Sequence, residues 1–309
     1  MSLKSKLRHA VTVSRDSRWW PFYLQRRFMQ PQRRAALAGQ IARLRTTTDP
    51  VAPTDDLARQ RARSLLADGI ASIGRPLDAQ QCADLVAYFS ALDVHDPYRP
   101  DAPRFKPLGP GRHAHAHIAH HDPADIVRAP ALMALANRPD VLAAVQLFLG
   151  CKPTLAYLAA WWSYATPLGA QQAEFFHRDV DDWRFVKLFV YLTDVDADSG
   201  PHVYVSRSAV SPQLAQIRRF NDDEVAANFP ADQVLTVTGR AGDAFLEDTF
   251  GIHKGQPVAK GHRLMFQAVY SMHALPYGPR KPVLGLAEAR TQHAGSLLDG
   301  WTNRCYLRQ

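Results

Sequence analysis

From Thr154 onward the chain is broken into short runs of β-branched and aromatic residues. They read TLAYLAAWWSYA, RFVKLFVYLTDV, HVYVS, VLTVTG, DAFLED, RLMFQAVYSM and PVLGLAEAR, with Gly, Pro, Asp and Asn clusters between them. Runs of this length and composition predict strands. Seven or eight short strands with no long helices alternating between them predict a sandwich, jelly roll or barrel. They argue against a doubly wound parallel sheet. Upstream the pattern is helical. PTDDLARQRARSLLADG offers Thr54 or Asp55 as an N-cap and Gly69 as a stop. Asp78 followed by Gln81 resembles a capping box, and RPDVLAAVQLFLG sets Pro139 in a first helical turn and Gly150 at its end. The predicted class is therefore mainly β with flanking helices. The chain divides into an arm at 1–52 and one domain at 53–309, with a helical lead-in at 53–150 and a β-rich core at 151–309.

Charge sharpens this division. Residues 1–64 hold 14 of the 37 basic residues and 4 of the 29 acidic ones, so they carry +10 and the remainder carries −2. A nearly neutral body argues against nucleic acid as substrate. In the arm, Trp19, Trp20, Phe22, Tyr23 and Phe28 interleave with Arg18, Arg26 and Arg27. Such a segment suits an anionic membrane surface, or packing of its aromatics on the body or on a second subunit. Three scattered cysteines without a CxxC suggest neither a zinc ribbon nor a disulfide framework, and point to a reducing cytoplasm. No signal-peptide core is evident, and no run approaches the ~20 apolar residues of a membrane span.

Histidine supplies the chemical signal. HAHAHIAHHDP packs five histidines into nine residues and contains His120-His121-Asp122; EFFHRDVDDW contains His177-Arg178-Asp179. With 13 His in the chain, chance alone is expected to produce about one His-x-Asp, so context must decide. Two histidines and a carboxylate on one face of a metal make the facial triad of non-haem Fe(II) oxygenases, with positions left open for cosubstrate and oxygen. The triplet should sit in extended chain, where residues i and i+2 point the same way. His120 is followed by Pro123 and a helical pattern, with no strand expected beside it. His177 lies between strand-like runs. Downstream, His253 ends a predicted strand and Arg263 opens the next, where a guanidinium can grip a carboxylate in a fork.

The segment from about Leu65 to Tyr277 resembles the phytanoyl-CoA dioxygenase-like family of Fe(II)/2-oxoglutarate oxygenases. The matching parts are Asp68-Gly69, His177 and Asp179, YLTDVDADSGPHVYVSRS, Gly242-Asp243, His253 and Arg263. Two positions depart from the family pattern: Ser208-Ala209 replaces a common Ser-His pair, and Gly255 replaces a small hydroxyl residue. The resemblance implies a double-stranded β-helix, a jelly roll of cupin-like form. It implies iron held by His177, Asp179 and His253, with 2-oxoglutarate and molecular oxygen as cosubstrates. Arg263 is then expected on the far carboxylate of 2-oxoglutarate, with Gln172 and Phe189 beside it. A small-molecule or biosynthetic-intermediate substrate would be oxidised at a C–H bond. The carboxylate at Asp179, absent in halogenating relatives, favours hydroxylation, desaturation or ring closure.

The segment holding His113, His115 and His117 approaches the active-site mouth in the family. These histidines are expected to line the substrate entrance, with Trp183 also facing the pocket. The same cluster also suits adventitious metal binding or a second metal site. Two other readings of the chain stay open: a metal-free jelly-roll binding protein, and a cupin-type metalloenzyme that does not use 2-oxoglutarate.

Overall fold

The structure is a computed structural model that describes residues 13–45, 55–292 and 298–308. The arm forms α1 (Trp19–Gln25) and α2 (Pro31–Leu44). Next come α3 (Asp56–Ala67), β1 (Ile70–Gly74), α4 (Ala79–Ala91), β2 (Ile118–His120), α5 (Pro123–Arg128), α6 (Pro130–Ala136) and α7 (Pro139–Leu149). The core follows with β3 (Thr154–Tyr164), β4 (Phe185–Tyr191), β5 (His202–Val205), α8 (Asp222–Asn228), β6 (Val234–Val237), β7 (Ala244–Glu247), β8 (His253–Gly255) and β9 (His262–Ser271). The end of the chain adds β10 (Leu284–Gly285), α9 (Leu286–Gln292) and β11 (Leu307–Arg308).

The local signals explain the helix ends. Asp55 accepts a hydrogen bond from the Ala58 amide at the start of α3, and Asp78 and Gln81 form a reciprocal capping box at α4. Gly150 ends α7 in the left-handed conformation, at φ 76°. Gly69 serves a tighter purpose. It has a φ of 84°, and any side chain there would run into the Tyr204 phenol, as it would at Gly251 on the same ring.

Two antiparallel sheets make a jelly roll. The large sheet has the order β1-β7-β4-β9-β3-β2, and the small one β6-β5-β8. Strand alternation sorts their side chains. On the outward face, Leu158, Trp162, Leu188 and Phe266 join one apolar core with Leu65, Val141 and Phe148 of the flanking helices. On the inward face, Tyr157, Trp161, Phe189 and Met265 line a cavity. The small sheet covers that cavity: the His202 ring on β5 lies 4.9 Å from Phe189 and 5.7 Å from Phe245. β4 reads FVKLFVY with every residue buried, as a central strand covered on both sides must be.

Several local expectations need correction. β1 and β2 arise in the lead-in read as helical, and both close edges of the large sheet. Each is short and paired on one side, too brief for period-2 alternation to stand out against its neighbours. β2 also removes the reason for setting His120 aside, since that residue ends a strand paired with β3. PVLGLAEAR is a two-residue strand running into a helix. His253 opens β8 and does not close a strand.

The described part of the arm packs on the body. Gln25 Nε2 and Arg26 Nε donate to the Val180 carbonyl at 2.8 and 3.2 Å. The Phe28 ring lies 5.3 Å from Trp183. Arg34, only 3% exposed, donates to the carbonyls of Gln25 and Asp182 and stacks 4.6 Å over Phe250. Removing that guanidinium leaves buried carbonyls unpaired, at roughly 1–3 kcal/mol each. Arg34→Met is therefore expected to lower the unfolding free energy by about 2–4 kcal/mol in urea titration. The exposed neighbour Arg33→Met is the control and should stay within about 0.5 kcal/mol of the parent.

Candidate metal centre

The site begins with one backbone pairing. His177 and His253 form an isolated antiparallel bridge, each amide donating to the other's carbonyl, at 2.9 and 3.0 Å. Two residues on, the Asp179 amide donates to Thr249 at 2.8 Å and keeps the triplet extended. In extended chain His177 and Asp179 point to one side and Arg178 to the other. Arg178 is buried there and donates to the carbonyls of Leu214, Phe250 and Gln213 at 3.0, 2.7 and 2.9 Å. The middle residue of the triplet thus ties two stretches of chain, at 213–214 and at Phe250, to the back of the site.

The donor geometry is specific. His177 Nδ1 lies 2.9 Å from the Phe175 carbonyl, and His253 Nδ1 lies 3.0 Å from the Gly251 carbonyl. A carbonyl only accepts, so each Nδ1 carries a proton and each Nε2 is the nitrogen turned toward Asp179. Those Nε2 atoms sit 3.6 and 3.2 Å from the two oxygens of Asp179. One ligand atom from each of the three residues lies within 4.8 Å of the others. Burial and the adjacent His253 push His177 down to about 3, which holds it neutral as a ligand must be. For Asp179, burial acts to raise the carboxyl, but Lys187 and the two histidines outweigh it and hold it well below the usual range. Two imidazoles turned to one point by their Nε2 atoms, with one carboxylate, fit a borderline divalent cation such as Fe(II).

Arg263 lies in the same cavity, which encloses about 240 Å³. It is the second residue of β9, is 5% exposed, and donates to the Gly200 carbonyl and, at 3.1 Å, to Ser163 Oγ. Its buried Nε has no hydrogen-bond partner among the described residues. His262 faces the other way, exposed and against Trp162. Phe189 lines the cavity between His202 and Phe245.

Other expected residues are placed elsewhere. Gln172 is exposed with φ 50° and lies outside the cavity, which Gln171 and Glu174 line instead. Trp183 faces a separate cavity under the arm, beside Arg34 and Phe250. The histidine cluster splits because residues 113–117 form turns and bends, not a strand, so their side chains do not share a face. His113 and His115 stack on each other at 5.5 Å away from the cavity. His117 does line it, with Nδ1 3.0 Å from Glu174. His120 lines it too, stacked on Trp161, while Asp122 pairs outward with Arg104 at 2.8 Å. The first His-x-Asp is therefore splayed apart.

Sequence reasoning missed two features. Lys187 on β4 sets its ammonium 2.6 Å from Asp179 Oδ2 and 3.3 Å from Asp181 Oδ2. The visible signal was a lone lysine inside the apolar run RFVKLFVYL. Beside it, Glu247 is wholly buried, pushed up to about 8 by that burial, and 2.9 Å from His202 Nε2. Burial, then Arg263, pushes His202 down to about 3.

No family model matches the chain, and no curated protein matches its sequence. Solved structures resemble it at low identity. EctD from S. alaskensis with bound Fe is 18% identical, over 86% of this chain and 92% of that one, with a TM-score of 0.49. The α-ketoglutarate-dependent epimerase SnoN from nogalamycin biosynthesis is 20% identical, over 69% and 82%, with a TM-score of 0.48. HygX from Streptomyces hygroscopicus with nickel and 2-oxoglutarate bound is 16% identical, over 78% and 96%, with a TM-score of 0.47.

Lys187 generates a direct test of the site's electrostatics. Lys187→Met leaves two buried carboxylates without their ammonium. The metal-free variant is expected to lose about 3–5 kcal/mol of stability, the usual cost of breaking a buried pair from one side. An unchanged urea midpoint would show that the carboxylates find other partners.

Proposed function

We propose that the protein is an Fe(II)/2-oxoglutarate-dependent oxygenase, similar to the phytanoyl-CoA dioxygenase-like family, that oxidises a C–H bond of a small-molecule or biosynthetic-intermediate substrate. The observation that carries this reading is the donor set: two histidines oriented by carbonyls at Nδ1, and one carboxylate between their Nε2 atoms. His177, Asp179 and His253 would hold the iron. When bound, iron with 2-oxoglutarate and molecular oxygen supplies the oxidising power that the side chains lack.

The chain's own residues bind, orient and exclude water. Arg263 supplies a buried cation whose Nε has no partner among the described residues, suited to the far carboxylate of 2-oxoglutarate. Ser163, which accepts from Arg263 Nη2 at 3.1 Å, fixes the guanidinium plane. A cation in the same cavity favours this cosubstrate over a cupin-type metal site without one. Phe189 and Met265 supply an apolar wall, and Tyr157 and Trp161 a larger aromatic one, where a substrate can be held out of water. Lys187 occupies one oxygen of Asp179 and leaves the other to the metal.

Two measurements test this. His177→Ala is expected to abolish Fe(II) binding and succinate release, while His120→Ala keeps the metal. The reverse pattern would assign the metal to the other triplet. Arg263→Lys is expected to weaken 2-oxoglutarate binding by roughly 1.5–3 kcal/mol, the value of a charge-assisted hydrogen bond, with iron affinity nearly unchanged. Anaerobic titration of 2-oxoglutarate, followed by the visible absorption of its iron chelate, reads this directly. A titration curve identical to the parent's would mean that another residue holds the cosubstrate.

A further inference from the structure

We propose that the outward face of α1 and the turn after it form a docking surface for an anionic lipid membrane. The proposal stands apart from the chemistry above and does not depend on it. Trp20, Tyr23 and Leu24 are 67%, 39% and 54% exposed, and Arg27 follows them, also exposed. Their spacing of i, i+3, i+4 and i+7 is one helical stripe. The opposite side of the same turns is buried through Phe22 and Gln25. The helix is thus held to the body by one face while the other offers the indole of Trp20 and the side chain of Leu24 to its surroundings.

Charge selects the partner. From Ser17 to Thr48 the sequence holds seven arginines and no acidic residue. Arg27, Arg33 and Arg43 point their side chains into solvent. A second copy meeting this face about a two-fold axis would set arginines against their own equivalents, which is repulsive. An anionic headgroup layer meets the arginines with opposite charge and takes the Trp20 ring at its preferred depth. Among the described residues no helix is long and apolar enough to cross a membrane, so the contact is one of lying on the surface. The inner side of α1 also reaches the metal cavity. Phe22 contacts Tyr277 at 6.2 Å, Tyr277 contacts Tyr157 at 5.2 Å, and Tyr157 lines the cavity.

Co-sedimentation of the full chain with vesicles tests this. The protein is expected to bind phosphatidylcholine vesicles containing phosphatidylglycerol, to leave them as salt rises, and to ignore phosphatidylcholine alone. The pair Trp20→Ser and Leu24→Ser, and separately the pair Arg27→Glu and Arg33→Glu, should each weaken binding about tenfold or more, with thermal unfolding unchanged. Absence of the parent from anionic vesicles overturns the proposal. Equal binding by the Trp20→Ser, Leu24→Ser variant does so as well. A dimer in gel filtration that this variant dissolves, with no vesicle binding, would assign the face to self-association. Salt-sensitive binding to a random oligonucleotide, with none to vesicles, would assign it to nucleic acid.

Discussion

Two reciprocal hydrogen bonds between the main chains of His177 and His253 are the constraint on which the centre depends. They join a loop that precedes β4 to the first residue of β8, across a gap of 76 positions. Once paired, both imidazoles must emerge on the same side, with ring centroids 4.3 Å apart. The carbonyls two residues before each histidine, at Phe175 and Gly251, then set both tautomers in the same way. Gly251 has a second obligation, since the Tyr204 phenol leaves no room for a side chain there. Backbone pairing, ring orientation and proton placement are thus one coupled arrangement.

The floor of the cavity holds more ionisable groups than a sheet interior normally tolerates. Lys187 and Glu247 are register partners across β4 and β7. Burial pushes Glu247 up to about 8, so it is largely protonated at neutral pH and shares a hydrogen bond with a neutral His202. The ammonium of Lys187 is then left to the two aspartates. Asp179 keeps its charge under that influence, while burial pushes Asp181 up. One cation thus stabilises the carboxylate that the metal requires, and a neutral pair fills the space beside it.

Much of this was legible in the sequence where local chemistry and periodicity agreed. The capping box at Asp78, the left-handed stop at Gly150 and the six main strand runs follow from residue type alone. The grouping of His177, Asp179 and His253, whose ligand atoms lie within 4.8 Å of one another, follows from strand context and the family resemblance taken together. The edge strands β1 and β2 were not, because their pairing is decided by sheet edges far along the chain, at Glu247 and Ser163. The histidine cluster misled for a related reason. Alternation at 113, 115 and 117 implies one face only in a strand, and the strand begins at Ile118. Gln172 failed because its 3-10 turn reverses direction just before the bridge, and Trp183 because its partner Phe28 lies in the arm. Lys187 stood in plain view, but a lysine in an apolar run has meaning only once two carboxylates are known to face it.

The arm's basicity has two physical uses, and the structure separates them. Loops around the centre cannot pair their carbonyls within a sheet, and buried carbonyls need donors. Arginines reach across to supply them. Arg18 donates to Pro279 at 3.0 Å, Arg26 to Val180, Arg34 to Asp182 and Arg45 to Met272. Arg178 does the same from within the triplet. These side chains replace missing strand partners, and their charge is incidental to that task. Arg27 in the turn after α1, and Arg33 and Arg43 on α2, remain turned outward, on a segment with no acidic residue to answer them. A net charge counted from sequence merges both groups. The second group is available to an anionic partner, and its first member, Arg27, follows the exposed Trp20 and Leu24 on the same stripe, where an apolar contact is available as well.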